Sequence, residues 1–506
     1  MVQPAHILRK DAQHLWPELT LHTVLLIAFA WVVPLGWPPH QPTSFLFQIL
    51  PAFLHLLLPI LWLVIVSRLV HDESLVGDQQ FWLTRPYTWT SLLASKLLFL
   101  AAFIFLPFLL MQCYLLFHAG LHPLAAIPGL LLNLLYLILI CFLPFLVLAA
   151  VTSTFPRLAL SMISGLIYLI VLALLFAYFT SGQTPPPQAL PILATVYAVF
   201  SVAVLLFQYA RRRILYARVA LVALPLVVAF LLLLLPSDQL FRQAYPLASG
   251  SPQVSFDSNP AAQEPQRGKL FLTNDKVLVN LPIALSGQPT NTLLEGRAVT
   301  FTIDSVGGNS QHYTAPWQSG GLNERVLTLA LPEDVLHRFG DQSVRIHVTF
   351  AAERLARGTA QTVTLADHFT APSGGVCFMA SEAGNAVCRY AVKDPPITQY
   401  MGGYSTVPCF EASDAPNFRP VGSGGINSGP ELFFLDPVVQ VSVAVSNPQS
   451  NRQNQVNTFL CSGIQLSFTQ LHSEAKLRFE LDVPSVQLSH YVARVPQMPM
   501  PMAPQE

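Results

Sequence analysis

Long apolar runs with short polar breaks fill the first half of the chain. Short strand-like runs between Gly, Pro and Asn turns fill the second. A bilayer hydrocarbon core of about 30 Å needs roughly 20 apolar helical residues to cross it. That yardstick predicts spans near 20–37, 46–70, 92–117, 124–152, 158–180, 189–209 and 217–236. The fourth is either one tilted helix or a kinked one, because Pro128 and Pro144 interrupt it. Pro51, Pro59, Pro107 and Pro225 fall inside other spans, where neighbouring helices can satisfy the freed carbonyls. The first run starts too late for a cleavable signal peptide, and no small-residue cleavage site follows it before further spans begin.

Ahead of the first span, Ile7, Leu8, Ala12, Leu15, Trp16 and Leu19 recur at helical spacing, with Arg9, Lys10 and His14 interleaved. This pattern predicts an amphipathic helix over 1–19, lying in the cytoplasmic interface. Pro17 argues against a plain extension of the first span. After the transmembrane region, 20–236, residues 237–268 are rich in Ser, Pro, Gln and Asn and read as a tether. Strand-like runs follow at 269–273, 277–281, 298–303, 326–331, 343–350, 438–445 and 464–468. They predict a β-rich domain over 269–492, with a Gly-, Pro- and Ser-rich loop at 401–430 pinned through Cys409. The tail 493–506, with its Met498-Pro-Met-Pro-Met-Ala-Pro run, is low complexity and expected to be disordered. The expected fold is a membrane all-α bundle of about seven transmembrane helices, followed by an extracytoplasmic all-β, sandwich-like domain or a pair of smaller sandwiches.

Charge sharpens this division. Residues 1–236 hold ten Lys/Arg and five Asp/Glu, and the remainder holds 17 and 22, so the zero net charge of the chain says nothing about partners. No basic stripe exists beyond a short Arg cluster at 211–213, which argues against nucleic acid. With a cytoplasmic N-terminus, the ten basic residues all fall on inside segments, and the loops 38–45, 118–123 and 181–188 carry none. Positively charged loops are retained inside, so seven crossings place the C-terminal domain outside a bacterial inner membrane.

Cysteine placement fits that topology. Cys113 and Cys141 lie within spans and read as small apolar packers, whereas Cys377, Cys388, Cys409 and Cys461 fall in the exported half. Four thiols in an oxidising space predict disulfides, and the lack of a Cys-x-x-Cys pair disfavours a zinc site. A Cys377–Cys388 hairpin staple with a Cys409–Cys461 link is the leading choice among three pairings.

The segment between the second and third spans carries the most chemistry: His71-Asp-Glu-Ser-Leu-Val-Gly-Asp-Gln-Gln-Phe-Trp-Leu-Thr-Arg-Pro86, continuing to Lys96. It holds most of the membrane half's acidic residues beside Phe81, Trp82, Tyr87 and Trp89, aromatics suited to headgroup depth. Charges next to interfacial aromatics make a docking knob for a cytoplasmic protein. The plainer reading is a connector whose charges are solvated.

An interfacial N-terminal helix, two spans and an acidic loop of the form Glu-x-x-x-Gly-Asp … Phe-Trp-Leu-Thr-Arg-Pro … Lys resembles the permease subunits of ABC-type exporters. Glu73, Gly77, Asp78, Arg85, Pro86 and Lys96 match that pattern, and the resemblance covers roughly 5–236. It implies a coupling helix in this loop that contacts a cytoplasmic ATP-binding-cassette ATPase, with Phe81 and Trp82 setting its depth. It also implies a homodimer or heterodimer of permeases among the membrane lipids. A seventh span and a large exported β domain depart from the family pattern. The chain has no Gly-x-x-x-x-Gly-Lys-Ser/Thr loop, so the energy source is expected on a partner. Neither a His-Glu-x-x-His nor a Gly-x-Ser-x-Gly motif occurs, and no catalytic residue, metal or cofactor is expected. His55 is a candidate proton relay or a neutral hydrogen-bonded His, and Asn133 reads as an interhelical hydrogen bonder. Spans so poor in charge suit a lipidic or apolar substrate. The rival expectation is a non-transporting sensor or assembly protein whose β domain binds an envelope ligand.

Overall fold

The computed structural model describes residues 2–37, 45–72, 88–180, 186, 188–211, 213–234, 237–250, 252–257, 276–289, 291–305, 311–318, 322–323, 326–359, 361–364, 368–371, 374–380, 385–392, 399–404, 435–443 and 465–492. Among these, seven helices are long and apolar enough to cross a membrane: Trp16–Gly36, Ile49–His71, Trp89–His118, Pro123–Val151, Phe155–Phe176, Pro191–Arg211 and Ile214–Leu231. The chain is a multi-pass membrane protein by this count, and the β-rich region follows the helices. An N-terminal helix, Val2–His14, precedes the first span and breaks at Leu15, with Pro17 in the first turn of the next helix. Proline fits there because a first-turn N–H has no helical acceptor to lose.

Chain contacts divide the protein into two compact units. One comprises Met1–Ala173, Leu193–Phe230 and Gly358–Leu471, and the other Leu174–Ile192, Leu231–Arg357 and His472–Glu506. The division therefore does not follow the expected boundary at 237–268, because a stretch of the β region groups with the helices.

In the first unit, the first span packs on the second and on the latter half of the third, and the second packs on the end of the fourth. The third and fourth spans share a device. Each carries Phe-Leu-Pro-Phe, at Phe105–Phe108 and Phe142–Phe145, and each has a π-helical turn just before it, at Ala101–Phe105 and Ile138–Phe142. A proline removes one N–H and crowds the carbonyl four residues back. Those carbonyls, on Phe103 and Ile140, lie inside the wide turns, so the fourth span remains one helical run through Pro144. The two turns meet edge-on through Phe105 and Phe142, with ring centroids 4.8 Å apart. Trp62 of the second span is fully buried against Phe108 and Phe142. The fifth and seventh spans are sparsely covered, 6% and 11% buried against 33–44% for the first four. Their apolar side chains suit contact with lipid.

Fourteen strands occur among the described residues: β1 Gln253–Phe256, β2 Lys276–Ser286, β3 Thr292–Ser305, β4 His312–Gln318, β5 Leu322–Asn323, β6 Val326–Pro332, β7 Val344–Arg357, β8 Gln361–Thr364, β9 His368–Thr370, β10 Val376–Ala380, β11 Asn385–Ala391, β12 Gln399–Tyr404, β13 Val438–Val443 and β14 Gln465–Val486. Expected runs at 277–281, 298–303 and 326–331 fall on strands, as do 344–350, 438–443 and 465–468 of three others, while 269–273, 444–445 and 464 lie outside the described residues.

The second unit is a sandwich. One sheet has the order β1-β2-β6-β5, and the facing one contains β14-β7-β3-β4. Alternate residues fill the space between, among them Val279, Leu281 and Ile283 of β2 and Leu327, Leu329 and Leu331 of β6. Ile346, Val348 and Phe350 of β7 and Leu481 and Val483 of β14 meet them. A bulge at Arg297 re-phases β3, so that Leu294 before it and Val299, Phe301 and Ile303 after it all face inward.

The tether expectation for 237–268 does not hold in its described part. Ser237–Ala244 is a helix, Pro246–Ala248 exchanges backbone hydrogen bonds with Arg478, and 253–256 form β1. Phe241 stacks on Trp317 at 4.3 Å, and both are buried with Tyr245 on Ala298 and Ala351. Polar composition hid this anchor. Its signal was the spacing of Phe241 and Tyr245.

In the first unit, β13-β11-β10-β9 form a small sheet, and β8 and β12 each pair with the first residues of β14. Ala391, Leu435 and Val438 are buried in the same core as the first four spans. Cys377 and Cys388 are directly opposite across β10 and β11 and form the expected disulfide. Cys409 and Cys461 lie outside the described residues. The 401–430 segment begins as β12, and beyond Tyr404 it too lies outside them.

Candidate functional site

The charged end of the helical bundle borders the 73–87 connection. On the N-terminal helix and the break after it, Ile7, Asp11 and Leu15 recur every four residues and are all buried, while Arg9 and Lys10 are exposed. The third span starts at Trp89 behind a Thr88 cap, whose hydroxyl accepts from the Ser91 N–H at 3.2 Å. Along that helix Leu92, Lys96 and Phe99 share a buried face. A lysine there must leave water, which is costly unless an opposite charge meets it. Asp11 does so: Lys96 Nζ donates to its Oδ2 at 2.8 Å, with about 2% and 7% of the two side chains exposed.

Two further pairs tie the start of the first span and the end of the N-terminal helix to the end of the second span. Arg68 donates to Glu18, and His14 Nε2 lies 3.2 Å from Asp72 Oδ2 at a more exposed position. The second span is in turn fastened to the fourth through His71. Its Nε2 lies 3.2 Å from the Ala149 carbonyl, which can only accept, so Nε2 carries the proton and Nδ1 accepts from Ser67 Oγ at 3.0 Å. Arg218, at the start of the seventh span, donates through Nε and Nη2 to the Val151 carbonyl. A cation on the last carbonyls of a helix is favoured by the helix dipole. Five span ends and the N-terminal helix are thereby fastened together around Asp72 and Thr88, which flank the loop.

Of the candidate coupling residues, Lys96 is placed, and it faces the N-terminal helix, bound to Asp11. Glu73, Gly77, Asp78, Phe81, Trp82, Arg85 and Pro86 lie outside the described residues. His55 sends Nδ1 to the Pro51 carbonyl of its own helix at 2.7 Å and packs edge-on with Phe29. Asn133 is buried in the fourth span.

Sequence reasoning passed over Asp11, although an acid between Ile7 and Leu15 on a buried stripe signals a basic partner. It also passed over His22, which is fully buried and accepts from Trp62 Nε1 at 3.4 Å. Among the described residues, no group of three His, Cys, Asp or Glu is placed to hold a metal ion. Comparison with protein-family models, curated proteins and solved structures finds no match to this chain.

Proposed function

We propose that the chain is the membrane-embedded permease subunit of an ABC-type exporter, acting with a separate cytoplasmic ATP-binding-cassette ATPase and with a second permease, identical or related. The observation that carries this reading is the fastening of the loop's two ends. Asp72 meets His14, and the helix opened by Thr88 is held through Lys96 and Asp11. A push on a loop so anchored reaches several helices at once instead of being absorbed locally. Closure of the ATPase would then bias the bundle between two global arrangements. The charged end is cytoplasmic in this reading, because basic residues are retained inside. The β units face the periplasm, where an oxidising environment suits Cys377–Cys388. A lipidic or apolar cargo fits spans with few charged groups.

The experiment is a double charge reversal, Glu73→Lys with Arg85→Glu. It should abolish co-purification of an ATPase, or stimulation of its activity, while membrane insertion and protein level stay intact. Full coupling in the double variant would reduce the loop to a connector. A wild-type protein that purifies with no ATPase would favour the sensor or assembly reading, to which the small sheet sharing a core with the spans also lends itself.

A further inference from the structure

At the opposite end of the first unit, Arg389 of β11 lies between two aromatic rings. Its guanidinium carbon is 4.4 Å from the Phe378 centroid and 5.1 Å from that of Trp37. Trp37 directly follows the first span, and its ring meets that of His118, the last residue of the third, at 6.0 Å. Both spans run away from the charged end, so these residues mark the far edge of the apolar length. The third span closes there with hydrogen bonds from Gly120 N–H to Phe117 O and Leu121 N–H to Leu116 O. Gly120 has φ +80°, and a Cβ on it would lie 3.4 Å from Val376 of β10, so the close approach of sheet and span suits glycine.

Arg389 is a half-buried cation that forms no ion pair among the described residues. Its Nε is buried without a hydrogen-bond partner among the described residues. Burial pushes the guanidinium below the ordinary arginine value. Among the described residues of β8–β13 there is no Asp or Glu, and neighbouring Asp436 accepts from the Val438 N–H. Contact with two rings restrains the arginine, and a planar guanidinium fork suits bidentate binding of an oxyanion. Val376, the cross-strand partner of Arg389, is the residue that Gly120 approaches, and Tyr114, Phe117 and Leu124 on the helix ends either side of Gly120 present exposed apolar surface.

We propose that Arg389, with Trp37 and Phe378, binds the phosphate ester of an anionic phospholipid headgroup, whose acyl chains lie along the ends of the third and fourth spans. The chemistry recognised is a phosphate oxyanion, and the exposed apolar surface on the adjoining span ends assigns its source to a lipid and not to free phosphate. The site stands apart from the transport reading and does not depend on it.

The test uses the full-length protein in nanodiscs of phosphatidylglycerol or phosphatidylcholine, released for native mass spectrometry. Wild-type protein should retain phosphatidylglycerol about tenfold more than phosphatidylcholine, close to one charge-assisted contact. Arg389→Gln should erase that preference, and Arg389→Lys should keep only part of it, since an ammonium lacks the planar fork. Equal retention by wild type and Arg389→Gln overturns the proposal. Loss of the lipid to millimolar inorganic phosphate, with phosphate taking its place, overturns the lipid source. If Arg389→Gln fails to fold, amide exchange on the wild type decides: phosphatidylglycerol should slow exchange at 376–379 and 387–390, and no slowing counts against the site.

Discussion

Lys96 and Asp11, 85 residues apart in sequence, form a salt bridge at 2.8 Å from which solvent is almost excluded. Removing one partner of a buried pair takes from the other its opposite charge, a loss of about 3–5 kcal/mol. Lys96→Ala or Asp11→Ala should therefore lower the melting temperature in detergent far more than Arg9→Ala on the exposed face of the same helix. Lys96→Met with Asp11→Leu should recover most of the loss, because an apolar pair of similar size removes the stranded charge. A double variant no better than the singles would show that the pair acts through some other contact.

The helix Ser237–Ala244 is held to β4 by Phe241 stacked on Trp317 and by the Trp317 Nε1 hydrogen bond to Asp238. Phe241→Ala should cost about 3–5 kcal/mol, the usual range for a buried Phe truncation. Its local signature is faster amide exchange over 237–248 and over β4, read by mass spectrometry. Unchanged protection there would mean that the backbone hydrogen bonds between 246–248 and Arg478 hold this segment without the ring.

Legibility tracked the range of the interactions involved. The seven spans and six of the strand runs depend on local composition and periodicity, and their positions were readable to within a few residues. The π-turns before Pro107 and Pro144 were visible only as prolines, because whether a helix kinks or widens depends on what packs around it, here Trp62 and the paired phenylalanines. Lys96 read as a loop-end charge because Asp11 reaches it only in three dimensions. The grouping of 358–471 with the helices arises from contacts such as Val438 and Ala391 in the helical core, which no local pattern records.

Glu353 gives the β sandwich an acid-sensitive point. Burial opposes its ionisation, but the Ser473 hydroxyl and the hydrogen bonds and charge of Arg297 outweigh that, so its pKa lies below the ordinary 4.5. A carboxyl depressed in the folded state adds stability that is present above its unfolded pKa and lost as pH falls through the folded value. Protection of β7 amides should thus decline below about pH 4.5. Glu353→Gln should be less stable at pH 7 and show a flatter acid limb. An identical acid limb in the variant would assign the decline to other carboxylates.

Cys377 and Cys388 should resist alkylation in native protein until it is reduced, since they are bonded across β10 and β11. Closing a loop of this size is worth about 2–4 kcal/mol. Reduction should therefore loosen the small sheet, seen as faster exchange over 376–391, while the second unit's β2 and β6 stay protected. Free labelling of Cys377 in unreduced protein would remove the staple.

The C-terminus should lie on the side of the membrane opposite the basic residues. Arg68, Arg157, Arg211, Arg213 and Arg218 all lie at span ends that alternation across seven helices places on one side, with Lys96 two turns into the third span. Retention of basic segments inside predicts that this side is cytoplasmic and the C-terminus external. A disulfide at Cys377–Cys388 points the same way, because cytosolic thiols are kept reduced. A fluorescent reporter that matures only in the cytoplasm, fused after Glu506, should stay dark, and a phosphatase that needs export should be active there. The opposite result would require an even number of crossings. The helix to lose would be the seventh, which is sparsely covered by the rest of the bundle, with 11% of its apolar window buried against 33% for the second. Arg218 donates to the Val151 carbonyl at the foot of that helix, so Arg218→Leu in the same fusion separates the cases. A seventh span held in place by its hydrophobic length keeps the reporter dark in this variant, whereas one that depends on the basic anchor lights it.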